Sequence, residues 1–516
     1  MTNGKSAMRE RILIAGGKVY DHDGDIHNPP VMDIAIDGGK ITGVSPATDA
    51  NPALRTGFDR VIDASRKLVL PGFFNAHYHS HDTLLKGSFE TISLDLWGSY
   101  AMPPAYPRRS KEELRLRTLV GAVECLRSGI TTVQDMTTLT PFDEDDLDVV
   151  LNAYDEVGIR CIFAPQFANV PRAKTRVFYD ELIPAGEMWR LSSGVRQFPE
   201  GSDIVARLGQ AIKDRRGRHA LVDFAIGPSS PETCTRDVWE KLGRLSRDEN
   251  IPIYTHVYEN KGMTHIARES FREHRGSLIH WLSDLGVLGP RCTFAHSVWL
   301  RDDEMDLLAK AGANVVINPV GNLKTRSGVA PARALLERGV NVGLGCDNCS
   351  CGDAQNMYQA MKLFTLLAAI CDAEEGPPLA GDALRAATLS GAATAGRTDL
   401  GAIKPGMRAD LSIIDLSDIS FVPLNSVARQ LVYTEAGRAV HTVLVDGRVV
   451  VEDRRIKTVD EAKLADDVAA VMPALRADLD AVRNRLAPIL PCLCKAQRRT
   501  WKSDIGINRF VAQECP

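Results

Sequence analysis

The sequence predicts an α/β protein: a (β/α)8, TIM-like barrel carrying a small composite β-sandwich made from both chain ends. Three observations predict it. Through the middle of the 516 residues, strand-like apolar runs alternate with helical patterns, as in a parallel sheet built from βα units. Eight such runs can be counted, the number that closes a barrel. Short strands broken by hairpin punctuation occupy both ends, and the N-terminal set is too small to bury two sheet faces alone.

Taken in order, residues 1–66 form the first part of the sandwich, with strands at Ile12–Ala15, Val19–Tyr20, Val31–Ile36, Lys40–Val44 and Arg60–Asp63 and Gly-Gly and Asp-Gly punctuation at 16–17 and 37–39. The barrel takes 67–399. Its expected strands are 67–77, 129–135, 160–165, 222–228, 251–256, 292–296, 314–319 and 340–347. Two connections are long. Residues 80–110 carry Phe89, Trp97 and Tyr100, and residues 168–203 carry Phe178, Tyr179 and Trp189; such aromatics either wall a pocket or pack the loops onto the barrel. After the eighth strand come a helix over 353–369 and two short helices over 381–396. Residues 400–456 complete the sandwich, and 457–516 form an amphipathic helix over 459–486 with a basic tail holding Cys492, Cys494 and Cys515. Cys-X-Cys with one distant Cys is a poor metal signal, so the tail reads as a docking segment or subunit contact, and a homo-oligomer is expected.

Composition narrows the function classes. Apolar content of 44% and charged content of 25% are ordinary for a globular protein, and a net charge of −4 gives no electrostatic footprint for nucleic acid. The run Lys213-Asp-Arg-Arg-Gly-Arg218 reads as a solvated loop or helix end. The first residues hold no apolar signal core and no stretch has the length of a membrane span, so a cytoplasmic location and no membrane contact are expected. Eleven scattered cysteines suit reduced thiols better than a disulfide scaffold.

The polar residues fall in a pattern. His77 and His79 alternate on one strand and so face one way; His256, His296 and Asp347 each end another expected strand. A lone His-X-His is common on half-exposed strands. Here five ionisable groups converge on the face where barrel active sites lie, and groups desolvated together need mutual pairing or a metal. Imidazole nitrogens on a rigid strand suit zinc, iron or nickel. Cys346, Cys349 and Cys351 around Asp347 are irregularly spaced and read as neutral packing.

Together these motifs resemble the amidohydrolase superfamily, in its cytosine-deaminase-like and chlorohydrolase-like (triazine hydrolase) branch. The matching runs are Pro71-Gly-Phe-Phe-Asn-Ala-His-Tyr-His, Thr83-Leu-Leu-Lys-Gly87, Thr255-His-Val-Tyr-Glu259, Ala295-His-Ser-Val-Trp-Leu300, Asn322-Leu-Lys-Thr-Arg-Ser-Gly-Val-Ala-Pro331, Gly343-Leu-Gly-Cys-Asp347 and Leu400-Gly-Ala-Ile-Lys-Pro-Gly-Met-Arg-Ala-Asp410, spanning nearly the whole chain. The resemblance implies one divalent ion per chain, Zn2+ or Fe2+, held by His77, His79, His256 and Asp347, with a water in the open position. It also implies Asp347 as the base, His296 as a hydrogen-bonding partner of the nucleophile or the developing charge, and Glu259 as the proton shuttle. No Lys lies between Val222 and Pro231 to bridge a second metal. Substrate contacts are expected from His81, Asp82, Trp97 and Asn322, although His81 also reads as a surface loop residue. Ile317 stands where relatives carry His, and Gly321 where they carry Ser; both departures bear on the substrate more than on the metal.

The implied reaction is metal-assisted hydrolysis of a non-peptide C–N bond in a small molecule, foremost the deamination of a small N-heterocycle. Hydrolysis of an aryl urea, carbamate or amide, or displacement of halide, needs the same metal set. The reading from another class, a barrel that lost its chemistry, is opposed by the intact ligands, base and acid. The deaminase pattern His-X-Glu with Pro-Cys-X-X-Cys, which acts on nucleic-acid bases, is absent.

Overall fold

Near-continuous apolar runs are the composition of strands covered on both faces, and a computed structural model, which describes residues 10–47 and 57–510, buries them so. The barrel strands are β1 (Phe73–His79), β2 (Ile130–Thr137), β3 (Arg160–Phe167), β4 (Val222–Phe224 and Gly227–Pro228), β5 (Ile253–Val257), β6 (Cys292–His296), β7 (Asn314–Ile317) and β8 (Asn341–Leu344 and Asp347–Asn348). Every residue of β1, β2 and β3 is buried. Pairing is parallel throughout, and β4 meets β5 through the bridge Ile226–Ile253. The ring closes at β8, whose first half pairs with β7 and whose second half sets Asp347 beside Tyr78 of β1. The break between the halves requires Gly345: a Cβ there would lie 2.3 Å from Asn318 Oδ1 and 2.7 Å from His77 Cβ. Phe74, Ala76, Met136, Ile162, Tyr254 and Val316 fill the barrel interior.

The strand expected over 67–77 is two strands. Lys67–Pro71 runs antiparallel to Leu411–Asp415 and so belongs with the chain ends, whereas Phe73–His79 opens the barrel. Gly72 separates them, because a Cβ would fall 2.2 Å from the Thr131 side chain. Among the described residues the strands of both ends share one continuous nine-stranded sheet, joined where Lys67–Pro71 pairs with both Ile12–Val19 and Leu411–Asp415.

The amphipathic C-terminal segment folds as helix Glu461–Leu486, capped by the Asp460 side chain, followed by helix Leu490–Lys502. Its apolar side is covered by its own chain: Leu479, Val482, Leu486 and Leu493 share one buried cluster with Trp97 and Tyr179 of the two long loops. The basic stretch read as a docking tail therefore docks on its own barrel. Cys492 and Cys494 are free thiols, and Cys515 lies outside the described residues. Among the described residues no helix is long and apolar enough to cross a membrane.

Candidate active site

Four strands, β1, β5, β6 and β8, bring the histidines and Asp347 to one point at the C-terminal end of the barrel. His79 Nε2 lies 3.1 Å from His77 Nε2 and 3.2 Å from His256 Nε2, and Asp347 Oδ1 lies 3.5 Å from His77 Nε2 and 3.7 Å from His79 Nε2. The other ring nitrogens decide what these atoms carry. His79 Nδ1 donates to the Met136 carbonyl and His256 Nδ1 to the Ser229 carbonyl, each at 2.5 Å. A carbonyl only accepts, so in the neutral rings both protons sit on Nδ1 and both Nε2 atoms present lone pairs. Burial, reinforced by neighbouring imidazoles, holds His79 and His256 well below the ordinary histidine range, and burial also lowers His77. Two neutral acceptors facing each other at 3.2 Å repel unless a cation lies between them. The donors therefore fit a divalent metal: His77, His79 and Asp347 form one group able to hold an ion, and His256 Nε2 lies 3.2 Å from His79 Nε2 beside it.

Asp347 is held by backbone as well as by charge. Asn75 Nδ2 donates to Gln355 Oε1 at 2.8 Å, Gln355 Nε2 donates to the Asp347 carbonyl at 2.8 Å, and Cys346 N donates to Asn75 Oδ1 at 2.9 Å. Asp347 and His296 both adopt the left-handed region, φ 64° and 69°, which a non-glycine residue occupies at a cost and which here aims their side chains inward. Burial works to raise the Asp347 carboxyl, and the imidazoles of His296 and His77 outweigh it and hold it well below the usual range. The turn after His79 is fixed by Asp135, which accepts from Ser80 N, Ser80 Oγ, Thr137 Oγ1 and Tyr154.

His296 and Glu259 stand beside this cluster. His296 Nε2 is 3.6 Å from Glu259 Oε2 and 4.0 Å from Asp347 Oδ2, and His296 Nδ1 donates to Asn322 Oδ1 at 2.8 Å. Burial pushes the Glu259 carboxyl up to about 7, with His296 opposing. A carboxyl poised near neutrality both gives and takes a proton there.

A cavity open to solvent lies over these groups, walled by Leu94, Trp97, Met102 and Met263 beside the polar cluster. Of the residues expected at the substrate, Trp97 lines it. Asn322 instead bonds His296. His81 and Asp82 face a separate small cavity, because the chain turns into a 3-10 helix directly after His79. Asp82 accepts from Cys349 N, Ser350 N and Ser350 Oγ, and Ser350 Oγ in turn accepts from Trp97 Nε1 at 2.8 Å, so Asp82 supports Trp97 from behind. Ile317 is buried away from this cavity, and burial keeps the thiols of Cys346, Cys349 and Cys351 protonated.

Sequence reasoning missed Gln166, Arg176, Ser230, Glu232 and Cys351 on the cavity wall. Glu232 carried a readable signal, a carboxylate just past the C-terminal end of a barrel strand. Arg176 carried none, since nothing local marks which residue of a long loop turns inward. The loops are clasped together by Arg172, whose guanidinium donates to the Gly98 and Asp95 carbonyls at 2.5 and 3.1 Å.

Comparison with known proteins adds to this geometry. A family model described as "Amidohydrolase family" matches residues 68–450. The 5'-deoxyadenosine deaminase of Methanothermobacter thermautotrophicus is 32% identical over 464 residues, 89% of this chain and 98% of the relative. Among solved structures, an adenosine deaminase from Xanthomonas campestris with bound Zn superposes with a TM-score of 0.77 at 26% identity, over 90% of this chain and 98% of that one. The atrazine chlorohydrolase of Arthrobacter aurescens TC1 complexed with zinc gives a TM-score of 0.77 at 24% identity, over 90% of this chain and 100% of that one, a likeness of fold.

Proposed function

Because the chain belongs to the amidohydrolase family and is a metal-dependent hydrolase of carbon–nitrogen bonds, we propose that it deaminates an adenine-type heterocycle, exchanging the exocyclic amino group for oxygen. The observation that carries the proposal is the pair of buried carboxylates, Glu259 and Asp347, within reach of one imidazole, His296, at a cluster of neutral histidine acceptors. Relatives named for the deamination of 5'-deoxyadenosine, and a zinc-containing structural relative named for adenosine, support the substrate class.

His77, His79, His256 and Asp347 would hold one ion, Zn2+ or Fe2+, and such an ion, when bound, lowers the pKa of a water towards neutrality. The remaining work falls to side chains. Asp347 takes a proton from the attacking water as its oxygen adds to the ring carbon. Glu259 gives its proton to the adjacent ring nitrogen, and His296 hydrogen-bonds the oxygen where charge develops. A second transfer to the amino group lets it leave. Amidine plus water becomes cyclic amide plus ammonia, so the atoms balance.

The test is metal content by elemental analysis with ammonia release from adenosine and 5'-deoxyadenosine, run beside pterins, pyrimidines, triazines and aryl ureas. One ion per chain and ammonia from an adenine nucleoside is the expected result. One ion with amine or chloride released and no ammonia would overturn the substrate class.

A further inference from the structure

One buried carboxylate in the cavity has no part in the reaction above. Glu232 sits in the short 3-10 turn Pro231–Thr233 that follows β4, is 7% exposed and lines the cavity. Its Oε1 accepts from Ser230 Oγ at 2.8 Å; its Oε2 is buried with no hydrogen-bonding partner among the described residues. Leaving a desolvated carboxylate oxygen unpaired is costly, so such an atom on a cavity wall is built for a donor that arrives with the ligand.

The neighbouring charges say what kind of donor. Among the described residues Arg176 is the one Lys or Arg lining the cavity, and it is ion-paired with Asp95, Nε 3.0 Å from Oδ1. Asp95 also accepts from Asn260 Nδ2 at 3.3 Å. Among the described residues, the wall thus offers Glu232 Oε2 as a free acceptor, while its one cation, Arg176, is shared between two carboxylates, Asp95 and Glu232. A phosphate or carboxylate on the substrate would meet two carboxylates, Glu232 and Asp95, that already share the Arg176 charge, whereas a hydroxyl would satisfy Oε2.

We infer that Glu232 is a specificity-determining residue: it accepts a hydrogen bond from a sugar hydroxyl of an unphosphorylated nucleoside and excludes the corresponding nucleotide. The inference rests on the deaminase reading above. It assigns Glu232 a role in binding the sugar and none in the proton transfers.

The experiment compares wild type, Glu232→Gln and Glu232→Ala by ammonia release from adenosine, 5'-deoxyadenosine, 2',3'-dideoxyadenosine and adenosine 5'-phosphate, with metal content measured for each protein. Glu232→Ala should raise KM for adenosine about tenfold or more while kcat stays within about threefold, and the preference for the hydroxylated over a deoxygenated analogue should collapse. Glu232→Gln, nearly isosteric and uncharged, should lower the preference for adenosine over its phosphate about tenfold. Wild-type selectivity in both metal-loaded variants would overturn the inference and leave the deaminase reading standing. Silence of wild type on all four compounds would overturn the deaminase reading and this inference with it. Loss of metal from Glu232→Ala alone would mark a folding defect, and the Gln variant then decides.

Discussion

The barrel buries charge at both ends, and the two ends handle it differently. At the N-terminal end of β3, Arg160 makes two parallel bonds to Asp410 of the end sheet, Nε to Oδ2 at 2.9 Å and Nη2 to Oδ1 at 3.0 Å, and lies 3.5 Å from Asp446. Asp410 also accepts from Asp446 N, and Asp446 from Arg408. This set is closed, donor matched to acceptor. At the C-terminal end, the imidazoles of His79 and His256 spend their protons on backbone carbonyls and turn like atoms towards each other. Arg160, Asp410 and Asp446 are as buried as the histidines, so burial does not tell the two sets apart. Internal satisfaction does: a matched set fastens the sheet to the barrel, and a mismatched set is complete only with something added.

The largest effect should follow from removing a histidine of the mismatched set. His77→Ala is expected to bind less than a tenth of an ion per chain and to lose at least ~10³-fold in kcat/KM, while its unfolding midpoint in metal-free buffer stays close to that of the metal-free parent. Wild-type metal content in this variant would show that the cluster is as self-sufficient as the Arg160 set. Glu259→Gln comes next. It keeps every proposed ligand and removes the carboxyl poised near neutrality, so metal content should be unchanged and kcat should fall by ~10²–10⁴-fold. A fall of less than threefold would remove Glu259 from the proton path.

Arg160→Met probes the matched set. It leaves the Asp410 carboxylate buried without its partner, which costs ~3–5 kcal/mol on the scale of broken buried pairs. Chemical denaturation should read that loss, while turnover per folded, metal-loaded molecule stays within a factor of about two. A variant that kept its stability and lost turnover would reverse the assignment of the two ends.

The matched and mismatched ends were not equally legible in the sequence. His77 and His79 could be picked out by their alternation at the end of one strand, and His256, His296 and Asp347 because each ends another expected strand; a strand's direction and alternation fix where its last side chains point. Arg160 and Asp410 lie 250 residues apart in different elements, and nothing local to either announces the other. The break at Gly72 was hidden because Lys67–His79 is apolar on both sides of it, and only the contact with Thr131 shows why the chain changes sheets there. His81 and Asp82 were expected at the substrate from their place just past the metal strand, and the 3-10 turn that begins at Ser80 carries them to a separate cavity instead. Arg176 and the C-terminal helices depend on long-range packing of loops, which sequence spacing does not encode.

The smallest predicted effect concerns how the mismatched set keeps its geometry. Gly321 lies in helix Pro319–Lys324, and a Cβ there would stand 2.5 Å from Asp347 Oδ2 and 3.3 Å from Asp347 Cγ. Asp347 has little room to yield, since Gln355 holds its carbonyl and its backbone is already in the left-handed region. Helix Pro319–Lys324 has little either, because Asn322 N and Thr325 N bond Asn318 O and Gly321 O. Gly321→Ser therefore turns the carboxylate off its line to His77 and His79, a disturbance of the kind that costs ~10–100-fold in metal affinity. Competition with a chelator measures it. If the serine variant holds metal as tightly as wild type, the Asp347 carboxylate yields to the added Cβ without cost, and the geometry of this end is set by Gln355 and β8 alone. If affinity falls while stability in the metal-free state does not, the cost lies in the mismatched set, as the contrast with Arg160 requires.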